Sequence, residues 1–379
     1  GSAERGLDML DLRRDARHRP LVGSLPMRGA TKRAAACSAA FCLAMGGIPL
    51  AACRLLPAGL PAGASAAAVY LIALAVGLHS IPKLADAMLA RKLEGWLDWF
   101  DRGAAAYSAW RGKEPIREPN PGSKDSDERK LAAWRKDVAT QAASGSLPRE
   151  LFDKAAAAGV PFAESIDPAS LPGMDALEAK YGPSASAAPA RRCALGLALA
   201  AGISVLAMGP GAYSPRMAFA LSLEGALLCL AAVSAACDER ARVLPFELSY
   251  ACYPLAFSAA LAASGAGGLA DAAVGLALCL VVTSGSAWVV GLLRGIPGAG
   301  GGDRRLAPAL AAACGMPGAA VFMLASYALY LASAAPSLIR RRATLSTRAP
   351  LGLWLLVGLG CGLSVLNGGI DWLGLGIAR

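Results

Sequence analysis

Four acidic residues lie in or beside long apolar stretches of this chain: Glu224, Asp238, Asp271 and Asp303. A carboxylate is costly to place in an apolar surrounding, so each of the four is a candidate for function. Two carboxylates that meet can share one proton, so that one takes a proton from water while the other donates one. That chemistry hydrolyses a peptide bond, and the first question is therefore which of the four can meet.

Asp238 and Asp303 occupy matching positions. Asp238 ends one apolar stretch, in AACDERARVLP, and Asp303 begins another, in GAGGGDRRL. Both are expected at the cytoplasmic ends of helices, where they could come together at one membrane depth. Gly300, Gly301 and Gly302 have no side chains, so they would let a substrate backbone approach the carboxylate closely. The simpler alternative is a glycine turn in which Asp303 caps the helix that follows.

Glu224 and Asp271 have simpler explanations. Glu224 lies about two turns into its apolar stretch, where we expect a buried, hydrogen-bonded structural residue, with polar support of the site as a second interpretation. Asp271 lies in GAGGLADAA, which predicts a short turn and a solvated helix cap. A phosphate-binding loop is not expected at 298–306, because no Lys–Ser/Thr pair follows the glycines.

The elements that position these residues are predicted to be membrane-spanning helices. The chain is 55% hydrophobic, and its apolar residues come in blocks separated by proline, glycine and charge. Such blocks are typical of transmembrane helices, and their alanine, glycine and serine suit close helix packing. The predicted fold is an all-α polytopic bundle of eight or nine spans. The candidate spans are 34–53, 64–81, 193–211, 217–237, 248–263, 272–293, 306–314, 319–334 and 351–366.

Lysine and arginine concentrate in alternate loops, which places the basic N-terminal segment on the cytoplasmic side of the membrane. This alternation accounts for the net charge of +10, so the charge does not indicate a nucleic-acid-binding protein. No basic and aromatic module typical of nucleic-acid binding is visible either. The ten cysteines form no C-x-x-C pair. We therefore expect neither a metal site nor a cofactor.

The predicted organisation has four parts. A basic tail (1–33) precedes two spans (34–83), a polar cytoplasmic insertion (84–192) and a membrane core (193–379). The insertion is expected to begin with an amphipathic helix whose tryptophans lie at the lipid headgroups. A loop of disorder-like composition, 111–130, and three short helices would follow it.

The two aspartate motifs together resemble those of type IV prepilin peptidases. GGGDRRLAPALAAACG is similar to the G-x-G-D block of that family, and DERARVLP is similar to its other aspartate block. A weaker likeness is APLGLWLLVG, at 349–358, to the Pro-Phe-Gly-Pro segment that opens the family's last helix, although the second proline is missing. The resemblance extends over about 193–366. The matching residues are Asp238, Arg240, Arg242, Leu244, Pro245, Gly300, Gly302, Asp303, Arg305, Leu306 and Gly315.

The resemblance implies an integral-membrane aspartyl peptidase with Asp238 and Asp303 as its catalytic pair. Its substrates would be type IV prepilin or pseudopilin precursors, cut behind a short basic leader at the cytoplasmic membrane face. Arg305, Pro245 and Glu224 are candidate supporting residues. Many bacterial members carry paired C-x-x-C motifs and also methylate the new N-terminus, and since this chain lacks the motifs, methyltransferase activity is not expected.

Two alternatives stay open. A presenilin-type protease also uses a GxGD aspartate, but its partner aspartate follows a tyrosine, whereas Cys237 precedes Asp238 here. The second alternative is a non-enzymatic membrane protein, either an ion-coupled transporter or an inactive assembly factor. In it, Glu224, Asp238 and Asp303 would line an ion path.

Overall fold

The structure is a computed structural model that describes residues 25–55, 61–112, 119–182, 188–206, 214–294, 302–340 and 350–369. Within these ranges the chain forms helices and connecting turns, with no strand, which confirms the all-α fold class. Six of the described helices are long and apolar enough to cross a membrane, and the segment Gly352–Gly368 is a shorter apolar helix. The prediction of a helical membrane bundle is therefore confirmed.

The chain divides into two compact units. The membrane unit comprises Leu25–Ala87 and Ser186–Arg379, and the insertion unit comprises Met88–Ala185. The boundary at Ala87 falls inside a long helix. The insertion unit lies within the predicted insertion, 84–192.

The described residues of the membrane unit form seven helices. Large apolar side chains are exposed on their outer faces, such as Leu43, Val281 and Leu324 at 72%, 71% and 73%. Such exposure suits lipid contact rather than water. The helices are α1 (Leu25–Leu55), α2 (Pro61–Arg111, of which the part to Ala87 belongs here), α6 (Ala188–Leu206), α7 (Pro215–Ala241), α8 (Phe246–Arg294), α9 (Asp303–Ile339) and α10 (Gly352–Ser364, followed by the π-helical turn Val365–Gly369).

Glycine allows these helices to approach closely. A Cβ atom at Gly46 of α1 would collide with the carbonyl oxygen of Ala218 in α7, and one at Gly360 of α10 would collide with the backbone of Ala200 in α6. Without a hydrophobic driving force inside lipid, such backbone contact is a main source of helix association. The small residues of the apolar blocks are therefore packing residues.

Two of the helices are each interrupted by one glycine with positive φ. Gly265 (φ 69°) interrupts α8, and Gly315 (φ 64°) interrupts α9. Each interruption separates two predicted spans, 248–263 from 272–293 and 306–314 from 319–334. The turn expected at Asp271 was wrong, because a single glycine is enough to interrupt the helix and Asp271 lies inside the second part of α8. Its side chain is exposed, as expected.

The insertion unit contains the end of α2 and three shorter helices, α3 (Ser126–Ala143), α4 (Arg149–Ala157) and α5 (Met174–Tyr181). The three short helices were predicted. Helix α3 nevertheless begins inside the predicted loop, because the Asp125 side chain caps it by accepting the Asp127 N–H at 2.9 Å. Part of that loop, 113–118, lies outside the described residues.

Aromatic side chains form the core of the insertion unit. The ring of Trp134 lies 5.8 Å from that of Phe100 and 5.8 Å from that of Tyr107, and Trp96 lies 6.2 Å from Phe100. Trp96 and Trp134 are only 5% and 3% exposed. The expectation that the tryptophans of this segment lie at the headgroups was therefore wrong for Trp96, which packs inside the protein.

Candidate active site

Asp238 lies near the end of α7 and is 8% exposed. Its Oδ2 accepts a hydrogen bond of 2.9 Å from the backbone N–H of Gly352, the first residue of α10. A Cβ at Gly352 would lie 3.2 Å from that oxygen and 2.9 Å from the Cα of Ala235, so only glycine fits without displacement. The weakest of the sequence likenesses, APLG at 349–352, thus supplies the backbone group that holds the carboxylate.

The two residues after Asp238 bind two further helices. Glu239, whose side chain is 5% exposed, pairs with Arg192 of α6 at 2.7 Å. Arg240, whose side chain is 8% exposed, pairs with Asp86 of α2. Three consecutive residues of α7 therefore contact α10, α6 and α2, and these contacts together fix the end of α7.

The turn after α7 directs the chain into α8. Arg242 has a left-handed backbone (φ 58°), and its N–H donates to the carbonyl oxygen of Asp238 at 2.9 Å, which ends α7. Leu244 and Pro245 are buried. The Pro245 carbonyl oxygen accepts from both the N–H and the hydroxyl of Ser249, each at 3.2 Å, and so starts α8. In DERARVLP the last residues, from Arg242 onward, form a helix cap and a turn.

Asp303 is the first residue of α9 and is partly buried. The carbonyl oxygen of Gly302 accepts from the N–H groups of Arg305 and Leu306, at 3.0 and 2.9 Å, which closes the first turn of this helix. A Cβ at Gly302 would lie 2.6 Å from the Cβ of Leu244. The start of α9 therefore lies directly against the turn that follows Asp238.

The other predicted site residues have different roles. The backbone carbonyl of Arg305 accepts a hydrogen bond of 3.0 Å from the Tyr253 hydroxyl of α8, which ties α9 to α8. Gly300 and Gly301 lie outside the described residues. In the part of the chain that the structure describes, no three His, Cys, Asp or Glu side chains are grouped so that they could hold a metal ion.

Glu224 is a separate feature of α7. It is 1% exposed, and its Oε2 accepts from the Ser204 hydroxyl and from the Asn367 amide, both at 3.2 Å. This is the buried, hydrogen-bonded setting predicted for it. Fourteen residues of helix correspond to about 21 Å along the axis, so Glu224 lies far from Asp238.

Residues 225–335 match the model of the type IV leader peptidase family. This range includes both aspartates and the two motifs around them. This part of the chain is similar to the type IV leader peptidase family. The match covers less than a third of the chain, and no curated protein and no solved structure matches it. The resemblance drawn from the motifs is thereby confirmed.

The family match and the apolar helices together support a membrane hydrolase with several candidate spanning helices. The APLG segment that holds Asp238 lies outside the matched range, as does Asp86. Both are therefore contributions to the site that only the structure reveals.

Sequence reasoning missed the roles of four residues around Asp238: Asp86, Arg192, Glu239 and Gly352. A signal existed for three of them, since Asp86, Arg192 and Glu239 are charges at the ends of apolar blocks. Their pairing could not be read from the sequence, because the partners are separated by tens of residues. For Gly352 the signal was the weak likeness of segment 349–358, which does not show what the residue does, because Gly352 contributes only a backbone N–H.

Proposed function

We propose that this chain is a membrane-embedded aspartyl endopeptidase with Asp238 and Asp303 as its catalytic pair. It removes the leader from type IV prepilin-like or pseudopilin precursors at the cytoplasmic face of the cell's inner membrane. The observation that carries the proposal is the contact of Gly302 with Leu244, which brings the start of α9 against the turn after Asp238. Both motifs lie in the range that matches the family.

The reaction needs one proton shared between two carboxylates. The ionised carboxylate takes a proton from a water molecule, whose oxygen forms a bond with the scissile carbonyl carbon. The protonated carboxylate donates its proton to the carbonyl oxygen, which gives a neutral tetrahedral diol. When the C–N bond breaks, the leaving nitrogen receives a proton from the first carboxylate, and the second recovers its own from the diol.

The surroundings of Asp238 suit this chemistry. The N–H of Gly352 fixes one carboxylate oxygen, and the ion pairs of Glu239 and Arg240 hold the backbone next to it. A positioned catalytic group avoids the entropy loss of finding its geometry in each turnover. The absence of a side chain at Gly302 lets Leu244 pack against the start of α9, which brings Asp303 close to the turn after Asp238.

Mass spectrometry of a co-expressed prepilin tests the proposal. We expect the wild-type chain to give a product that lacks the leader, and Asp238→Asn and Asp303→Asn to give only the intact precursor. Asp271→Asn is the matched control, because Asp271 is an exposed carboxylate of the same membrane unit, and it should cleave normally.

The same spectra separate the remaining alternatives. Cleavage retained in both Asp238→Asn and Asp303→Asn would exclude the proposed mechanism. No cleavage by any variant, the wild type included, would favour the non-enzymatic alternative. The product mass also reports methylation of the new N-terminus, which we expect not to occur because the C-x-x-C motifs are missing.

A further inference from the structure

A cavity of about 60 Å³ lies inside the insertion unit, remote in sequence from the aspartates. Helix α2 contributes Trp96, helix α3 contributes Gln141, and helix α5 contributes Lys180 and Tyr181. Ser146 and two leucines complete its walls. All the residues that line the cavity belong to a single unit, so its shape is a property of that unit.

Three of these side chains have a buried polar atom that finds no hydrogen-bond partner among the described residues. The atoms are Nε1 of Trp96, Nε2 of Gln141 and the hydroxyl oxygen of Tyr181. The three residues are 5%, 4% and 1% exposed. Buried polar groups nearly always have partners, and these three belong to residues that line one cavity, so a hydrogen-bond acceptor bound there would satisfy them.

The wall offers mainly donors and a positive charge. An indole N–H and an amide NH₂ only donate, and a tyrosine hydroxyl can donate. Lys180 adds an ammonium group, and partial burial lowers its pKa, so a nearby negative charge would stabilise it. None of the residues that line the cavity, all of them in the described part of the chain, is Asp or Glu.

We propose that this cavity binds a carboxylate group. Its two oxygens accept hydrogen bonds from Trp96, Gln141 and Tyr181, and Lys180 neutralises its charge. The volume equals that of about two water molecules in the liquid, which fits a carboxylate and the carbon that carries it. Two water molecules would fill the same space less well, because their hydrogens need acceptors and this wall provides mainly donors.

The carboxylate has two sources with the same chemistry, a small free acid or an Asp or Glu side chain of a peptide. The test uses the full-length chain in lipid nanodiscs and follows tryptophan fluorescence, since Trp96 lines the cavity. Sodium acetate is titrated into one sample and sodium chloride into another, at equal ionic strength. We expect a saturable change with acetate that chloride does not produce.

Variants of the cavity residues test whether the fluorescence change comes from acetate bound in the cavity. Lys180→Gln and Tyr181→Phe should each weaken acetate binding about tenfold, the effect of losing one charge-assisted hydrogen bond. Lys130→Gln is the matched control, because it makes the same charge change at a side chain that is 75% exposed and outside the cavity. It should bind acetate as the wild type does. Circular dichroism checks that each variant is folded, and the Lys180 side chain is exposed enough for its replacement to be tolerated.

A second arm identifies the source of the carboxylate. N-acetyl-glutamyl peptide amide is compared with its glutaminyl counterpart. Binding of acetate and of the glutamyl peptide points to a peptide side chain, and binding of acetate alone points to a small free acid. If acetate gives no saturable change beyond chloride, or if Lys180→Gln binds acetate as tightly as the wild type, the cavity holds only water and the proposal is wrong.

Discussion

Replacing Asp86 by alanine should slow leader cleavage, although Asp86 lies outside both aspartate motifs. Asp86 of α2 pairs with Arg240, two residues after Asp238, and the two side chains are 20% and 8% exposed. The neighbouring Cys237 thiol lies 3.9 Å from the carbonyl oxygen of Ala85, so α2 and α7 touch at this point. Loss of the pair frees the end of α7 to shift relative to Gly352.

The expected size follows from burial. Removing one partner of a fully buried ion pair destabilises a protein by about 3–5 kcal/mol, whereas an exposed pair contributes about 0.2–1 kcal/mol. The Asp86 side chain is 20% exposed, so in Asp86→Ala water can partly solvate the Arg240 guanidinium that loses its partner. We therefore expect the free energy of unfolding to fall by about 2 kcal/mol in this variant. Displacement of a catalytic group by about 1 Å can slow a reaction about 100-fold, so cleavage per folded molecule should slow about 10- to 100-fold.

The assay measures the rate of prepilin cleavage by the purified chain and divides it by the folded fraction from thermal unfolding. Asp98→Ala is the control, because Asp98 pairs with Arg102 and these side chains are 39% and 59% exposed. Its rate should stay within about twofold of the wild type. The double variant Asp86→Ala/Arg240→Ala should lose less than the sum of the two single variants, because neither charge remains buried. Additive effects, or a wild-type rate for Asp86→Ala, would refute the positioning role.

The remaining predictions concern three residues of the membrane unit. Gly302→Val should abolish most cleavage, because a Cβ there would lie 2.6 Å from that of Leu244, while Gly285→Ala, with open space around it, should cleave normally in the same assay. Gly352→Val should lower the cleavage rate more than it lowers the thermal unfolding midpoint, because it pushes α10 away from the Asp238 carboxylate. Glu224→Gln should keep the hydrogen bonds that Ser204 and Asn367 donate and should cleave normally, whereas Glu224→Leu should lose about 1–3 kcal/mol of unfolding free energy in a denaturation series. Loss of cleavage in folded Glu224→Gln would instead favour an ion path through this residue.

The membrane helices could be predicted because their signal is local. A span must be apolar along its length and must satisfy its own backbone hydrogen bonds, so each block of the sequence carries its own evidence. The same holds for the positions of Asp238 and Asp303 at the ends of α7 and α9, which depend only on where the blocks stop. Trp96 was misplaced because burial within a domain and position at a lipid interface both favour tryptophan.

The sequence by itself determined that this is a helical membrane protein, where most of its helices lie, and the two aspartates whose motifs resemble those of the type IV leader peptidase family. Only the tertiary structure decided which groups surround Asp238: a backbone N–H from Gly352, and neighbouring ion pairs to Arg192 and Asp86. The physical reason is that a helix is specified by residues a few positions apart, whereas an ion pair or a backbone hydrogen bond between helices joins residues with no fixed spacing along the chain. The cavity beside Trp96 was hidden for the same reason, because its walls come from three helices of the insertion unit.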